Sequence, residues 1–373
     1  MIITMAFVNG FQKTVSEKVF SFWGHVRIQR YEPNKSLIAE ETAMPKNDSV
    51  IRHLYKQPEV KQVQAFATRS VVIERQKNIE GLLFKGVESN YAFENIKPFI
   101  KQGSWLDFKD SLYSRNIIIS EPVAKQLEIK LNDTITVYFI SRENQNSIYR
   151  KLTVSAIYKT GIEEYDKLFA IGDIRLIRRL NGWAENEIGG YEVFLKDYKK
   201  MDAFNDTLPD QLPSVWISRT IKEIYPNIFD WLNIQDVNRN VIFIVMSIVA
   251  IINLITCLII LVLERTRMIG ILKAVGSKEW TIQRIFLYHA TIISAIGIVL
   301  GFIVGVGICL LQQATGFISL DETAYYVTTA PVDIIWWQVF AVCGATLLVC
   351  FLSLAIPTLI VRSIRPVKAI QFR

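Results

Sequence analysis

Past Asn240 the chain holds three long runs in which no side chain is charged: Asn240–Leu263, Ile285–Leu320 and Ile334–Val361. A helix needs about 20 mostly apolar residues to cross roughly 30 Å of hydrocarbon, and each run is long enough. Leu, Ile, Val and Phe are abundant in them, and each favours insertion by roughly 0.3–0.6 kcal/mol at a helix centre. Trp336 and Trp337 open the third run, where aromatic rings suit the membrane interface. The pattern predicts transmembrane helices at 240–263, 285–312 and 334–361. A further apolar stretch, Met1–Val8, is too short to span and lacks the basic region and cleavage site of a signal peptide. It reads as the outer end (1–8) of a first transmembrane helix, which places the expected native start about 25–35 residues upstream.

Between Asn9 and Arg239 the periodicity is that of a water-soluble domain. Asn9–Phe22 places Phe11, Val15, Val19 and Phe22 on one helical face. Strands are expected at His25–Arg30, Val60–Gln76, Ile79–Val87, Asn116–Ser120, Thr134–Ile140, Lys151–Tyr158, Tyr165–Ile171 and Tyr191–Lys196. Helices are expected at Asp48–Gln57, stopped by Pro58, at Glu121–Leu127, from an Asp173 cap to Leu180, and at Asp197–Asp206. A last helix from Thr220 should lead straight into the first complete span. Strands and helices mix without a βαβ rhythm, so the class is α+β.

Charge orients the spans. The loop 264–284 carries Arg265, Arg267, Lys273, Lys278 and Arg284 against Glu264 and Glu279. The tail 362–373 carries Arg362, Arg365, Lys368 and Arg373 with no acid, whereas the loop 313–333 has only acids, Asp321, Glu322 and Asp333. The positive-inside rule puts the first two in the cytoplasm and the third outside, together with 9–239. The net charge of +7 partly reflects this bias, so it is not read as nucleic-acid binding.

Catalytic chemistry is not evident. The chain has no Walker A sequence, no His-Glu-x-x-His and no Gly-x-Ser-x-Gly. All four cysteines, Cys257, Cys309, Cys343 and Cys350, fall inside spans, so no disulfide framework supports the external domain, and no spacing suggests a metal. His289 lies in or near a span, where an ionisable group is a functional candidate, but a neutral imidazole at a helix contact is the favoured reading. Glu163 and Glu164 read as solvated loop charges. Gly297, Gly301 and Gly305 recur every fourth residue in the second complete span, a spacing suited to close helix packing.

The loop after the first complete span reads ERTRMIGILKAVGSKEWTIQR. Met268, Ile269, Ile271, Leu272 and Val275 make an apolar helical face, and Gly276 can end the helix. Such a helix either lies on anionic lipid or docks into a groove on a cytoplasmic partner. In the docking reading Ile269, Ile271 and Leu272 lead the contacts, Arg265, Arg267 and Lys273 pair with acids, and Gly270 admits a close surface.

The string from Glu264 to Gly276 resembles the coupling-helix signature of FtsX-like ABC permeases, and Arg365-Pro366-Val367-Lys368-Ala369-Ile370 is similar to the ending of that group. Within it the chain looks most like the lipoprotein-releasing permeases, the Lol membrane subunits of LolC/LolE type. Asn9-Gly10-Phe11-Gln12, Phe229-Asp230-Trp231, Gly316–Leu320, Tyr325-Tyr326-Val327 and Pro331-Val332 add to the likeness. The resemblance implies four spans, three complete here, with a MacB-like periplasmic α+β domain between the first two. It further implies a pair of permease subunits, homo- or heteromeric, working with a separate cytoplasmic ATPase that binds the ATP; the chain itself needs no cofactor or metal. The coupling helix, including Glu264, would carry the ATPase motion, and acylated lipoproteins would pass from the bacterial inner membrane to a periplasmic carrier. The external hairpin that recruits the carrier in one subtype has only a short, polar candidate here, Ser141–Arg150. An exporter or mechanotransmission permease for another substrate, and a division-type regulator of wall hydrolases, remain alternatives.

Overall fold

The computed structural model describes residues 1–33, 36, 38–75, 78–140 and 148–353. The end of the third charge-free run, the basic tail and residues 141–147 of the polar hairpin lie outside the described residues. The chain divides into two compact units. One gathers Met1–Lys13, Asp230–Leu320 and the chain from Thr329 onward; the other gathers Thr14–Phe229 and Asp321–Thr328.

The second unit is built on strands β1 (Val26–Arg30), β2 (Met44–Pro45), β3 (Val60–Arg75), β4 (Asn78–Val87), β5 (Ile100–Gly103), β6 (Asn116–Ser120), β7 (Thr134–Phe139), β8 (Ile148–Tyr158), β9 (Phe169–Asp173), β10 (Glu187–Ile188), β11 (Gly190–Leu195) and β12 (Trp216–Thr220). Ten of them form one sheet in the order β12-β1-β11-β3-β4-β9-β6-β8-β5, with β7 bridging β3 and β8; β2 and β10 pair separately. The β3–β4 hairpin runs from Phe66 opposite Val87 to Arg75 opposite Asn78. Parallel pairs, β4 with β9 and β6 with β8, are inserted among antiparallel ones, which confirms the α+β mixture.

Both end strands of the sheet, β12 and β5, escape the sequence pattern for a physical reason. In β12 the buried positions are Trp216, Ser218 and Thr220, while Ile217 and Arg219 are only half-buried, so no apolar alternation marks it. β5 is exposed at three of its four residues. The strand expected at Tyr165–Ile171 is displaced. Glu163–Asp166 forms a helical turn, and β9 starts only at Phe169. The buried Asp166 carboxylate dictates that turn by accepting from Thr160 N and Gly161 N at 2.9 Å each. The helix after Thr220 is also interrupted. It ends at Ile224, and a new helix begins at Pro226, whose missing N–H is tolerated at a helix start.

The core of this unit is organised around the end of the N-terminal helix, Ile2–Trp23. Val15 and Val19 are fully buried, and Phe22 stacks at 5.0 Å on Tyr165. Trp23 meets Phe169 and Phe66 edge-on at 4.9 and 5.7 Å. His25 follows, stacked on Phe20 at 4.3 Å, with Nδ1 accepting from Leu195 N at 3.0 Å. Burial lowers its pKa to about 4, with nearby Lys61 adding to the shift. The unfolded chain therefore binds a proton near pH 6.5 that the folded one refuses until about pH 4. Stability is present above pH 6.5 and is lost as pH falls towards 4, by about 3 kcal/mol in all. Denaturant titrations between pH 7 and 4 should show this slope in the parent and its loss in His25→Phe; an unchanged slope would exclude His25 as its source.

The first unit is helical. The N-terminal helix contributes residues 2–13 without a break at Val8. Long apolar helices run over Pro226–Glu264 (39 residues) and Glu279–Thr315 (37 residues). At 1.5 Å per residue they are about 58 and 55 Å long, well beyond a roughly 30 Å hydrocarbon layer. These two are long and apolar enough to cross a membrane; a third apolar helix is described over Trp336–Ser353. Much of their surface is apolar and exposed, as at Ile244, Ile252, Ile296 and Leu300, which suits lipid rather than water. Gln312 ties the connection that follows, donating to Ala330 O at 3.0 Å and accepting from Ile318 N at 3.0 Å.

Candidate functional site

The two long helices are joined by a short connecting helix, Thr266–Ala274. Only Arg265 separates it from the first long helix, and Thr266 Oγ1 donates to Leu263 O at 2.6 Å across the break. Its C-terminus closes as a Schellman motif. Ser277 N donates to Leu272 O at 3.0 Å and Gly276 N to Lys273 O at 3.1 Å. Gly276 sits at φ +91°, a conformation that a side chain would strain. Chain direction thus reverses within a few residues before the second long helix starts at Glu279.

The packing of this helix separates the predicted docking residues into two groups. Ile269 is fully buried in a small cluster with Val262 and Ile282, and Leu272 packs against it half-buried. Gly270 is buried as well. Among the described residues these side chains face the long helices and do not form the outer surface of the connecting helix. The apolar side chains that do face outward are Met268, Ile271 and Val275, the last 81% exposed. They lie at i, i+3 and i+7 and so share one face. Glu264, Arg265, Arg267 and Gly276 are exposed beside it, and Lys273 is half-buried. Trp280 is also exposed, with the Arg284 guanidinium 5.3 Å from its ring centre. The sequence pattern could not make this division, because Ile269 and Ile271 are equally apolar and only the neighbouring helices distinguish them.

Of the three spaced glycines, only Gly305 has a neighbour: a Cβ there would lie 3.4 Å from Ile2. Among the described residues nothing lies within 4 Å of such an atom at Gly297 or Gly301. Both line an open cavity of about 480 Å³ with Met1, Leu254, Thr346 and Cys350. His289 is exposed on its helix. None of the four cysteines is in a disulfide.

A set of buried charges in the second unit was not singled out in the sequence. Lys85 and Glu192, each with 0% of its side chain exposed, pair at 2.7 Å. Arg27 and Glu41 pair at 2.6 Å, and Glu41 also accepts from Thr68 N at 2.6 Å. The Lys85 ammonium donates to the carbonyl of Phe22, near the end of the N-terminal helix, and lies 4.1 Å from the Trp23 ring centre. Arg27 covers the same ring at 4.4 Å. Burial pulls the Lys85 pKa down to about 8, against the opposing pull of Glu192, and pushes the Glu192 carboxyl up. The available signal is a single charge embedded in an apolar strand, as in LLFKGV and YEVFL.

With this geometry in place, comparison with known proteins identifies the class. Residues 1–210 match the MacB-like periplasmic core domain and residues 240–366 match the FtsX-like permease C-terminal domain. The chain belongs to the FtsX-like permeases that carry a MacB-like periplasmic domain, and is a permease subunit of an ABC transporter. Among its relatives is the lipoprotein-releasing system transmembrane protein LolE of Haemophilus influenzae, 21% identical over 393 residues, covering all of this chain and 90% of that protein. Another is the lipoprotein-releasing system transmembrane protein LolC of Buchnera aphidicola, 26% identical over 329 residues, covering 82% of this chain and 73% of that one. The periplasmic region of MacB from Actinobacillus actinomycetemcomitans is similar over 55% of this chain and 92% of its own, at 15% identity and a TM-score of 0.37.

Proposed function

We propose that this chain is the membrane subunit of a lipoprotein-releasing ABC transporter in a bacterial inner membrane. It pairs with a second permease subunit and with a cytoplasmic ATPase, and it moves acylated lipoproteins towards a periplasmic carrier. The observation that carries this reading is the end-to-end similarity to the Haemophilus influenzae LolE protein, which takes in both units. The connecting helix supports the mechanical side of it. A helix pinned through Ile269 to both long helices, with Met268, Ile271 and Val275 outward, has the apolar anchors at helical spacing that a groove on a partner accepts. The permease family and the LolE likeness support assigning ATP to a separate partner.

Depletion of the protein in its native cell tests the substrate. Mature lipoproteins should accumulate in the inner membrane and disappear from their destination, as followed by membrane fractionation. Normal lipoprotein sorting with failed cell separation would replace this reading by the division-type regulator. Normal sorting with loss of export of another compound would point to an exporter.

A further inference from the structure

The loop between the second and third apolar helices is not an idle connection. Its flanks, Leu320 and Thr329, belong to the helical unit, yet Asp321–Thr328 belongs to the α/β unit. Within that unit it meets a prepared surface. The buried Asp166 carboxylate holds the Thr160–Ile162 turn by accepting from Thr160 N, Thr160 Oγ1 and Gly161 N at 2.8–2.9 Å. Gly161 sits at φ +78°, and a Cβ there would lie 2.5 Å from the Glu322 carboxylate and 3.0 Å from Lys18 Nζ. The positive φ at Gly161 would strain any side chain there, and Glu322 and Lys18 approach the space one would take.

Glu322 pairs with Lys159 beside that turn. Lys18 donates to Tyr326 O at 2.6 Å, and the Tyr326 hydroxyl bonds to Glu164, which stays exposed to solvent as expected. The loop is shaped for the contact by a helical turn, Glu322–Tyr325, with Tyr326 N donating to Glu322 O at 2.9 Å. Tyr326 is held at φ +59°, a left-handed conformation that bulky residues rarely adopt. Such a backbone persists only while its surroundings hold it, so seating on the turn maintains it and unseating relaxes it.

We infer that the Glu322–Tyr326 turn is a releasable latch, seated by Glu322 and Tyr326 on Lys159, Glu164 and Lys18, whose seating and release pass displacement of the flanking membrane helices to the α/β unit. The contacts of Glu322 and Tyr326 are polar and half-buried, as a device that must open requires, with Lys159 and Glu322 31% and 20% exposed, and the buried Val327 adds one apolar anchor beside them. The transmission role rests on the permease reading above, whereas the contact itself does not.

The test uses the full-length protein in nanodiscs with its ATPase, in four forms: parent, Lys159→Glu, Glu322→Lys and the double exchange. Hydrogen exchange of the amides of 321–326 reports seating, and the ATPase rate of the complex reports transmission. Each single reversal should speed exchange about ten-fold, as expected for loss of one local contact set, and lower the ATP turnover coupled to transport. The double exchange should restore most of both. Unchanged exchange in the single reversals would overturn the latch, and faster exchange with an unchanged rate would overturn its role in transmission. Failure of the permease reading is seen separately, as absence of any ATPase from the purified parent.

Discussion

Replacing Lys85 by Met should lower the unfolding transition of the α/β unit by about 6–20 °C. Removing one partner of a buried ion pair costs about 3–5 kcal/mol, and each kcal/mol is worth roughly 2–4 °C in a unit of this size. The cost is not the lost attraction alone. Glu192 would remain inside with no water, and Phe22 O would lose the Lys85 donor near the helix end. The Lys85→Met, Glu192→Leu double variant should recover much of the loss, since a packed apolar pair often replaces a buried ion pair at little cost. Recovery should stay incomplete, because Met cannot donate to Phe22 O or lie as a cation over Trp23. The measurement is the thermal transition of the full-length protein in detergent. A Lys85→Met variant that melts with the parent would show that the pair does not hold the end of the N-terminal helix.

Ile271→Asp and Val275→Asp should detach the ATPase without disturbing the permease. Both residues project outward from the connecting helix, so a carboxylate there stays solvated in the free subunit and is desolvated only against a partner. Contacts at the centre of an interface are worth about 2 kcal/mol or more, so affinity should fall roughly 30-fold for each. Ile269→Asp should behave differently. It places a charge in the cluster with Val262 and Ile282, so yield and stability of the permease should fall together with ATPase binding. Co-purification with the ATPase, beside the thermal transition of each variant, separates the two effects. If Ile271→Asp and Val275→Asp retain the ATPase at the parent level, the outward face is not the docking surface, and a helix lying on lipid becomes the better account.

The three charge-free runs and the division of the chain near Asn240 were legible from composition alone, because hydrocarbon tolerates so few sequences. Helix stops were legible where one residue enforces them, as at Pro58 and Gly276, and so was the Asp173 cap, whose carboxylate accepts from Arg175 N at 2.9 Å. The motif from Glu264 to Gly276 pointed to the right family for the same reason: a short helix tied at both ends to membrane helices leaves little freedom in its spacing.

What the sequence could not supply depends on which neighbour each residue meets. β12 hides because its inward positions are Ser218 and Thr220, chosen by a pairing with β1 that lies some 190 residues upstream. Lys85, Glu192, Arg27 and Glu41 come from strands and a loop scattered between residues 27 and 192, and they meet only when the sheet closes around Phe22 and Trp23. Ile269 and Ile271 are interchangeable on a helical wheel until Val262 and Ile282 cover one of them. Likewise Glu322 reads as a loop acid until folding brings it over Gly161 and Lys159. Insertion and helix capping are local or compositional, so the sequence determined them by itself. Burial of a charge and the choice of an exposed face are set by contacts between distant segments, and for those the tertiary structure decided.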